Sequence, residues 1–168
     1  MTMKIEDFCI KLNEMLSPIS APETRLATAA RFVCTAFSMK PDEVALFRLD
    51  DSGFLSFMWP TRLQNAGSVP LTATSPLVAR TARENAGFLN NSFANTPHAS
   101  FFEHFHKNEA NSLPIQKIMS APLTAEGKVK GVIQVSRKGE DPVRAGNDFS
   151  KSELAALERI ATVIAAHL

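Results

Sequence analysis

Histidine, asparagine and phenylalanine concentrate in one segment of this chain, residues 88–113. The segment contains five of the twelve phenylalanines and three of the four histidines. Imidazole nitrogens bind metals or carry protons, amides orient a ligand through hydrogen bonds, and phenyl rings cover its apolar surface. The segment therefore combines apolar walls with a few polar groups, which is the composition of a small-molecule site.

The spacing of the histidines argues against a metal centre. His104 and His106 lie two residues apart, so on a helix they would point to opposite sides, about 200° around the axis. His98 and His106 would converge only through loop geometry, and no cysteine or nearby aspartate completes a tetrahedral set. We therefore expect no metal, no haem held by a single histidine, and no other cofactor.

Nothing in the sequence places a nucleophile beside a base. Cys9 and Cys34 are the only cysteines, and each lies in a predicted helix among apolar neighbours, which favours a role in the core. The serine-hydrolase, zinc-protease and phosphate-binding-loop motifs are absent. Tyrosine is absent as well, which removes one frequent general acid. These observations predict a protein that is not an enzyme.

Composition limits the possible partners. The 168 residues favour a single domain, 45% of them are hydrophobic, and the net charge is +1 without a basic cluster. Nucleic acid and an anionic membrane are therefore poor candidate partners. No apolar run approaches the roughly 20 residues of a membrane span, and residues 1–7 lack the apolar core of a signal peptide. We expect a cytoplasmic protein.

Hydrophobic periodicity and turn signals predict alternating helices and strands around the 88–113 segment. We expect helices over residues 5–16, from Ser20 to about residue 39, from Ser75 to about residue 87, and from Ser150 to the end. We expect strands over residues 43–49, 54–59, 69–71, 88–91, 118–123 and 129–137. Ser20 with Glu23 and Ser150 with Glu153 each have the spacing of a capping box, which predicts two helix starts.

Three stretches in the last fifty residues resemble the C-terminal half of a GAF domain. They are Ser120-Ala-Pro-Leu123, Lys130-Gly-Val-Ile-Gln-Val135 and Phe149-Ser-Lys-Ser-Glu-Leu-Ala-Ala-Leu-Glu-Arg-Ile-Ala161. With the order of the elements, the resemblance covers about residues 22–168. It implies an α+β, PAS-like fold: a central antiparallel sheet of about six strands, helices on one face, and a loop and short-helix lid on the other. We accordingly divide the chain into an N-terminal helical extension, 1–19, and a GAF domain, 20–168.

The resemblance implies regulatory sensing of an unidentified small molecule bound between sheet and lid. The ligand-binding residues that we expect on this basis are Trp59, Asn91, Phe93, His98, Phe102, Phe105 and Gln134. The alternative is a ligand-free dimerisation or protein-interaction module whose cavity is filled by its own phenylalanines. Phe102 and Phe105 fit plain core packing as well as a pocket wall, and Gln134 fits a solvent-facing position as well as a pocket floor.

Some ligands of the family are disfavoured by particular residues. Members that bind cyclic GMP carry an Asn-Lys pair, a phenylalanine and an Asp-Glu pair, of which only Phe149 and Glu153 match here. Members that carry a bilin or reduce methionine sulfoxide place cysteines in the sheet and pocket loops, whereas this chain has none after Cys34. We therefore expect none of these three activities.

The two terminal helices show spacing that suits assembly. Ile5, Phe8, Leu12 and Met15 follow steps of three and four residues, and so do Leu154, Leu157, Ala161, Ile164 and Leu168. The resemblance implies a homodimer built from these helices. Because no output domain follows Leu168, we expect any output to come from a separate protein.

Overall fold

The computed structural model describes residues 4–96 and 113–168, and within these ranges it contains four α-helices and six β-strands. The helices are α1 Ile5–Leu16, α2 Pro22–Phe37, α3 Leu77–Glu84 and α4 Lys151–Ala165. The strands are β1 Val44–Leu49, β2 Phe54–Trp59, β3 Ser68–Pro70, β4 Phe88–Asn90, β5 Ile115–Ala125 and β6 Lys128–Lys138. The predicted α+β class is confirmed.

All six strands form one antiparallel sheet in the order β3-β2-β1-β6-β5-β4. The long β5–β6 hairpin turns at Glu126 and Gly127, whose φ angles are +53° and +76°. Two left-handed residues in a row make the turn whose twist matches that of the strands. Gly131 is required for another reason, because a Cβ there would lie 2.0 Å from the carbonyl oxygen of Phe47 on β1.

The alternation of side chains along the strands divides the protein into two cores. Helices α1, α2 and α4 cover one face, which we call the helical face, where Ile133 and Val135 of β6 are buried. Helix α3 and the 3₁₀ turn Phe93–Asn95 lie on the other, the α3 face, where Phe47 and Val132 are buried. Each face thus has its own hydrophobic cluster.

The two predicted capping boxes have different outcomes. At α4 the box is present: Ser150 Oγ accepts from the Glu153 amide at 3.1 Å, and Glu153 Oε1 accepts from the Ser150 amide at 3.0 Å. At α2 the prediction is wrong, because Ala21 is the N-cap and no side chain caps the helix. Pro22 occupies the first helical position instead, where a missing N–H costs nothing.

The stripe of α1 is used within the chain. This helix packs on α2 and α4: Phe8 meets Phe32 edge to face at 5.7 Å between ring centroids, and Glu6 pairs with Arg159 at 2.6 Å. Leu12 is buried as expected, but Met15 is 39% exposed, because its neighbour Leu16 takes the inward position.

Candidate functional site

The residues expected to bind a ligand are not all brought together by the fold. Phe93 and Gln134 are buried on the α3 face, whereas Trp59 packs against the cluster of the helical face. Asn91 lies directly after β4, at the rim of the sheet. The other three expected residues, His98, Phe102 and Phe105, lie outside the described residues.

Gln134 sits at the centre of the α3 face. It lies on β6, opposite Ala45 of β1 and Ser120 of β5. Strand alternation turns it away from Ile133 and Val135, and only 6% of its surface is exposed, so it does not face solvent. Its Nε2 donates to Ser120 Oγ at 3.2 Å.

The hydrogen bonds continue from Ser120 to helix α3. Ser120 Oγ lies 2.7 Å from Thr81 Oγ1, and Thr81 Oγ1 donates to the carbonyl oxygen of Leu77 at 2.8 Å. Thr81 and Ser120 are both fully buried. We call Gln134, Ser120 and Thr81 the polar chain, since they link strands β6 and β5 to the helix that packs on them.

The surroundings of the polar chain are apolar. Phe47 and Phe57 pack with ring centroids 4.6 Å apart, and Ile118, Val132 and Phe93 complete the same cluster. Burying amide and hydroxyl groups in such a setting is costly unless they are hydrogen-bonded. The polar chain is therefore a feature that packing alone does not require.

The sequence contained part of the signal for the polar chain. Gln134 was predicted because it interrupts an apolar strand, and Ser120 interrupts β5 in the same way, beside Met119 and Ala121. Its significance was missed because a single serine in a strand is common. Thr81 could not be identified from the pattern of its own helix, because its partner Ser120 lies 39 residues away in the sequence.

Asn91 forms a structural contact. Its Nδ2 donates to the carbonyl oxygen of Phe149 at 2.9 Å, and its Oδ1 accepts from the Phe149 amide at 2.8 Å. The side-chain amide thus pairs with one backbone residue in the way a neighbouring strand would. Both of its polar atoms are used in fixing the entry to α4.

Trp59 is placed by an irregularity in the β1–β2 pairing. Phe47 pairs with Phe57, whereas Leu46 pairs with Trp59, so Met58 is an extra residue on β2. Such a bulge turns the following side chain to the other face. Both Met58 and Trp59 consequently contact the helical core, and the Trp59 indole N–H is buried without a hydrogen-bond acceptor in the described part of the chain.

The cysteines belong to the helical face as well. Cys9 and Cys34 pack against its cluster, on α1 and α2. Burial removes water from each thiolate and raises the pKa of both thiols. Neither sulfur lies on the face of the polar chain. Within residues 4–96 and 113–168, no three histidine, cysteine or acidic side chains converge in a metal-binding cluster.

Three clefts lie elsewhere on the described surface. One, of about 560 Å³, is at the end of the sheet where Arg48, Asp51 and Lys128 border it. These three charged side chains are exposed. The second, of about 230 Å³, lies between α1, α2 and α4 against Phe8 and Phe37, and the third, of about 280 Å³, lies between the start of α2 and strand β2. None of the three contains the polar chain, so none matches its buried, directional chemistry.

An antiparallel six-stranded sheet with α1, α2 and α4 on one face and α3 on the other defines an α+β domain. Residues 21–168 match the family model described as GAF domain. The chain therefore belongs to the GAF family, whose members include signalling and ligand-sensing modules. No curated protein sequence matches the chain.

Solved structures agree with this assignment. The GAF domain of a phosphoenolpyruvate-protein phosphotransferase from Acinetobacter is 14% identical with a TM-score of 0.74, over 99% of this chain and 94% of that one. A methyl-accepting chemotaxis protein is 12% identical with a TM-score of 0.68, over 93% of each chain. The free methionine-R-sulfoxide reductase of Neisseria meningitidis is 14% identical with a TM-score of 0.67, over 97% of this chain and 87% of that one. At these identities the likeness shows the fold alone.

Proposed function

We propose that this GAF domain is a regulatory module that binds a small molecule on its α3 face. The polar chain supports this most directly: Gln134 is buried in an apolar surface, and its hydrogen bonds connect the centre of the sheet to helix α3. A ligand that engages Gln134 would change the contacts of a helix, which is what regulation needs. Phe93 forms part of the wall, and we keep His98, Phe102 and Phe105 as proposed ligand contacts.

We further propose that the protein has no enzymatic activity. The chain is similar in fold to a reductase for free methionine sulfoxide, so this alternative needs a specific argument. Reduction of a sulfoxide by a protein thiol requires a sulfur atom at the substrate. Cys9 and Cys34 lie on the helical face, with the sheet between them and the polar chain, and their raised pKa values reduce the thiolate fraction.

Native mass spectrometry of freshly purified protein tests the proposal. We expect a mass excess from a co-purified small molecule, which denaturation releases. Incubating the stripped, ¹⁵N-labelled protein with a small-molecule cell extract should then shift amide resonances of α3 and of the strand residues that face it. If the protein carries no small molecule and the extract leaves the α3-face resonances unchanged, the proposal is wrong. Trp59 fluorescence is a poor reporter here, because the indole lies on the helical face.

We also propose a cytoplasmic homodimer through the terminal helices, acting on a separate output protein. No described helix has the length and apolar character to cross a bilayer. The a/d residues Leu157 and Ile164 are buried within the protomer, but Ile10 of α1 is 58% exposed. Ile10→Glu should shift the sedimentation coefficient toward the monomer, whereas Lys11→Glu, a charge change at an exposed neighbour, should not. A monomer at tens of micromolar for the unmodified protein would contradict the dimer.

A further inference from the structure

The direction of every hydrogen bond in the polar chain follows from counting protons. A hydroxyl has one proton, and that of Thr81 goes to the Leu77 carbonyl, which can only accept. Thr81 must therefore accept the proton of Ser120 across their 2.7 Å contact. With its proton committed, Ser120 Oγ can only accept from Gln134, so the Gln134 amide must present Nε2 to it.

This order fixes the orientation of the Gln134 amide. Since Nε2 faces Ser120, Oε1 is the group that remains on the α3 face. No described residue donates a hydrogen bond to Oε1, although the residue is only 6% exposed. A carbonyl oxygen in an apolar setting gains most from a donor. The polar chain thus presents one acceptor, Gln134 Oε1, while the hydrogen bond from Nε2 to Ser120 fixes the position of the amide.

The charges around Gln134 limit what that donor can be. Its cross-strand neighbours are Ala45 and Ser120, and Val132 and Ser136 flank it along β6 on the same face. The next side chain on this face of β6 is Lys138, whose Nζ donates to the Asp42 carbonyl at 2.8 Å. None of these four neighbours is charged, and the Lys138 ammonium already has a partner, so these groups do not compensate the desolvation of an anionic ligand at Gln134.

We propose that the ligand is a neutral, largely apolar molecule that donates an N–H or O–H hydrogen bond to Gln134 Oε1. This inference rests on the proposed function, and it names the ligand class of that same site. The aromatic side chains Phe47, Phe57 and Phe93 of the surrounding cluster suit a planar ring. These neighbours favour an uncharged donor over a carboxylate or a phosphate as the group that meets Gln134.

Matched pairs of small molecules test whether the ligand donates a hydrogen bond to Gln134 Oε1. Indole and benzofuran have the same shape, but only indole has a ring N–H, and benzamide and benzoate differ in charge and in donors. Each is titrated to millimolar concentration into ¹⁵N-labelled protein. The side-chain NH₂ pair of Gln134 is the readout, identified as the pair that disappears in Gln134→Leu. Gln64→Leu is the matched control, since Gln64 donates to the Met58 carbonyl away from the polar chain.

We expect indole and benzamide to shift the Gln134 pair and to bind about tenfold more tightly than benzofuran and benzoate, the value of one hydrogen bond. In Gln134→Leu the indole–benzofuran difference should vanish, whereas Gln64→Leu should retain it. If Gln134→Leu does not fold, the four affinities are still compared in the unmodified protein through its backbone amide shifts. Equal binding of the isosteres, a preference for benzoate, or no response to any of the four probes overturns the donor inference. The proposed function fails separately, through the absence of any co-purified or extracted ligand.

Discussion

The two faces of the sheet are built from alternate residues of the same strands, yet they differ in chemistry. On β6, Ile133 lies on the helical face and Gln134 on the α3 face, and both are buried. On β5, Met119 and Ser120 divide in the same way. The helical face buries apolar side chains against three helices, whereas the α3 face buries a chain of hydrogen-bonding groups among apolar ones.

Because of this difference, we expect the two faces to contribute differently to stability and to function. Apolar packing stabilises the fold without directional requirements, whereas buried polar groups need every partner in place to avoid a penalty. A protein that kept only the first kind of surface would gain stability and lose the ability to recognise a ligand. We infer that the helical face supplies most of the stability and that the α3 face supplies the recognition.

The helical core should be the most sensitive part of the molecule. Leu157 on α4 is 0% exposed, so Leu157→Ala should lower the free energy of unfolding by about 2–5 kcal/mol through lost burial and the cavity left behind. Urea denaturation measures the change. Leu154→Ala, at a half-buried position of the same helix, should cost clearly less. Equal costs at the two positions would contradict the assignment of Leu157 to the core.

Breaking the polar chain at its middle should have a smaller but specific effect. Ser120→Ala leaves the buried Gln134 N–H without an acceptor, which should lower the free energy of unfolding by about 1–3 kcal/mol. Adding Thr81→Val and Gln134→Leu also removes the hydroxyl and the amide that lose their Ser120 partner in Ser120→Ala. The triple variant should therefore recover most of the lost free energy of unfolding. The same urea titrations check both variants. A triple variant that is less stable than Ser120→Ala would contradict the idea that the polar chain is kept for recognition.

The fold was largely predictable because the hydrophobic periodicity of most segments agrees with the contacts that these segments make in the folded protein. Alternating apolar residues placed Gln134 opposite Ile133, as the structure has them. Leu157 and Ile164, whose a/d spacing suits assembly, are instead buried within the protomer. The face of Trp59 could not be predicted, since the extra residue at Met58 is visible only in the pairing of β1 with β2. A bulge of one residue reverses every inside–outside assignment beyond it.

The candidate site was predictable only in part, because its key contacts join distant segments. Thr81 meets Ser120 across 39 residues, and Asn91 meets Phe149 across 58. Asn91 was a reasonable candidate ligand contact, since amides often orient ligands. In the structure its two polar atoms pair with the Phe149 backbone, a contact that no local pattern could indicate.

The Asn91 contact provides a third test, because it ties the rim of the sheet to the start of α4. Asn91→Ala should lower the free energy of unfolding by about 1 kcal/mol, since water can replace part of the lost pairing at this half-buried position. Asn91→Asp keeps the acceptor for the Phe149 amide but sets a carboxylate oxygen against the Phe149 carbonyl, so it should cost at least as much as alanine. Both variants should bind indole as the unmodified protein does. A loss of indole binding without a loss of stability would show that Asn91 contacts the ligand.

The smallest effect is expected at the thiols, and it tests the separation of the two faces directly. Burial raises the pKa of Cys9 and Cys34, so less thiolate is present at pH 7 than at an exposed cysteine. Alkylation by iodoacetamide should therefore be slower than that of a cysteine in an unfolded peptide, and should accelerate as pH rises toward the raised pKa. Because the sheet separates both sulfurs from the polar chain, Cys9→Ser combined with Cys34→Ser should leave the indole-induced shifts of the Gln134 side chain unchanged. Serine at these half-buried sites should change stability only slightly, so any lost binding could not be ascribed to unfolding. Indole shifts that disappear in this variant while the protein stays folded would show that the helical face takes part in recognition, and the division between the two faces would be wrong.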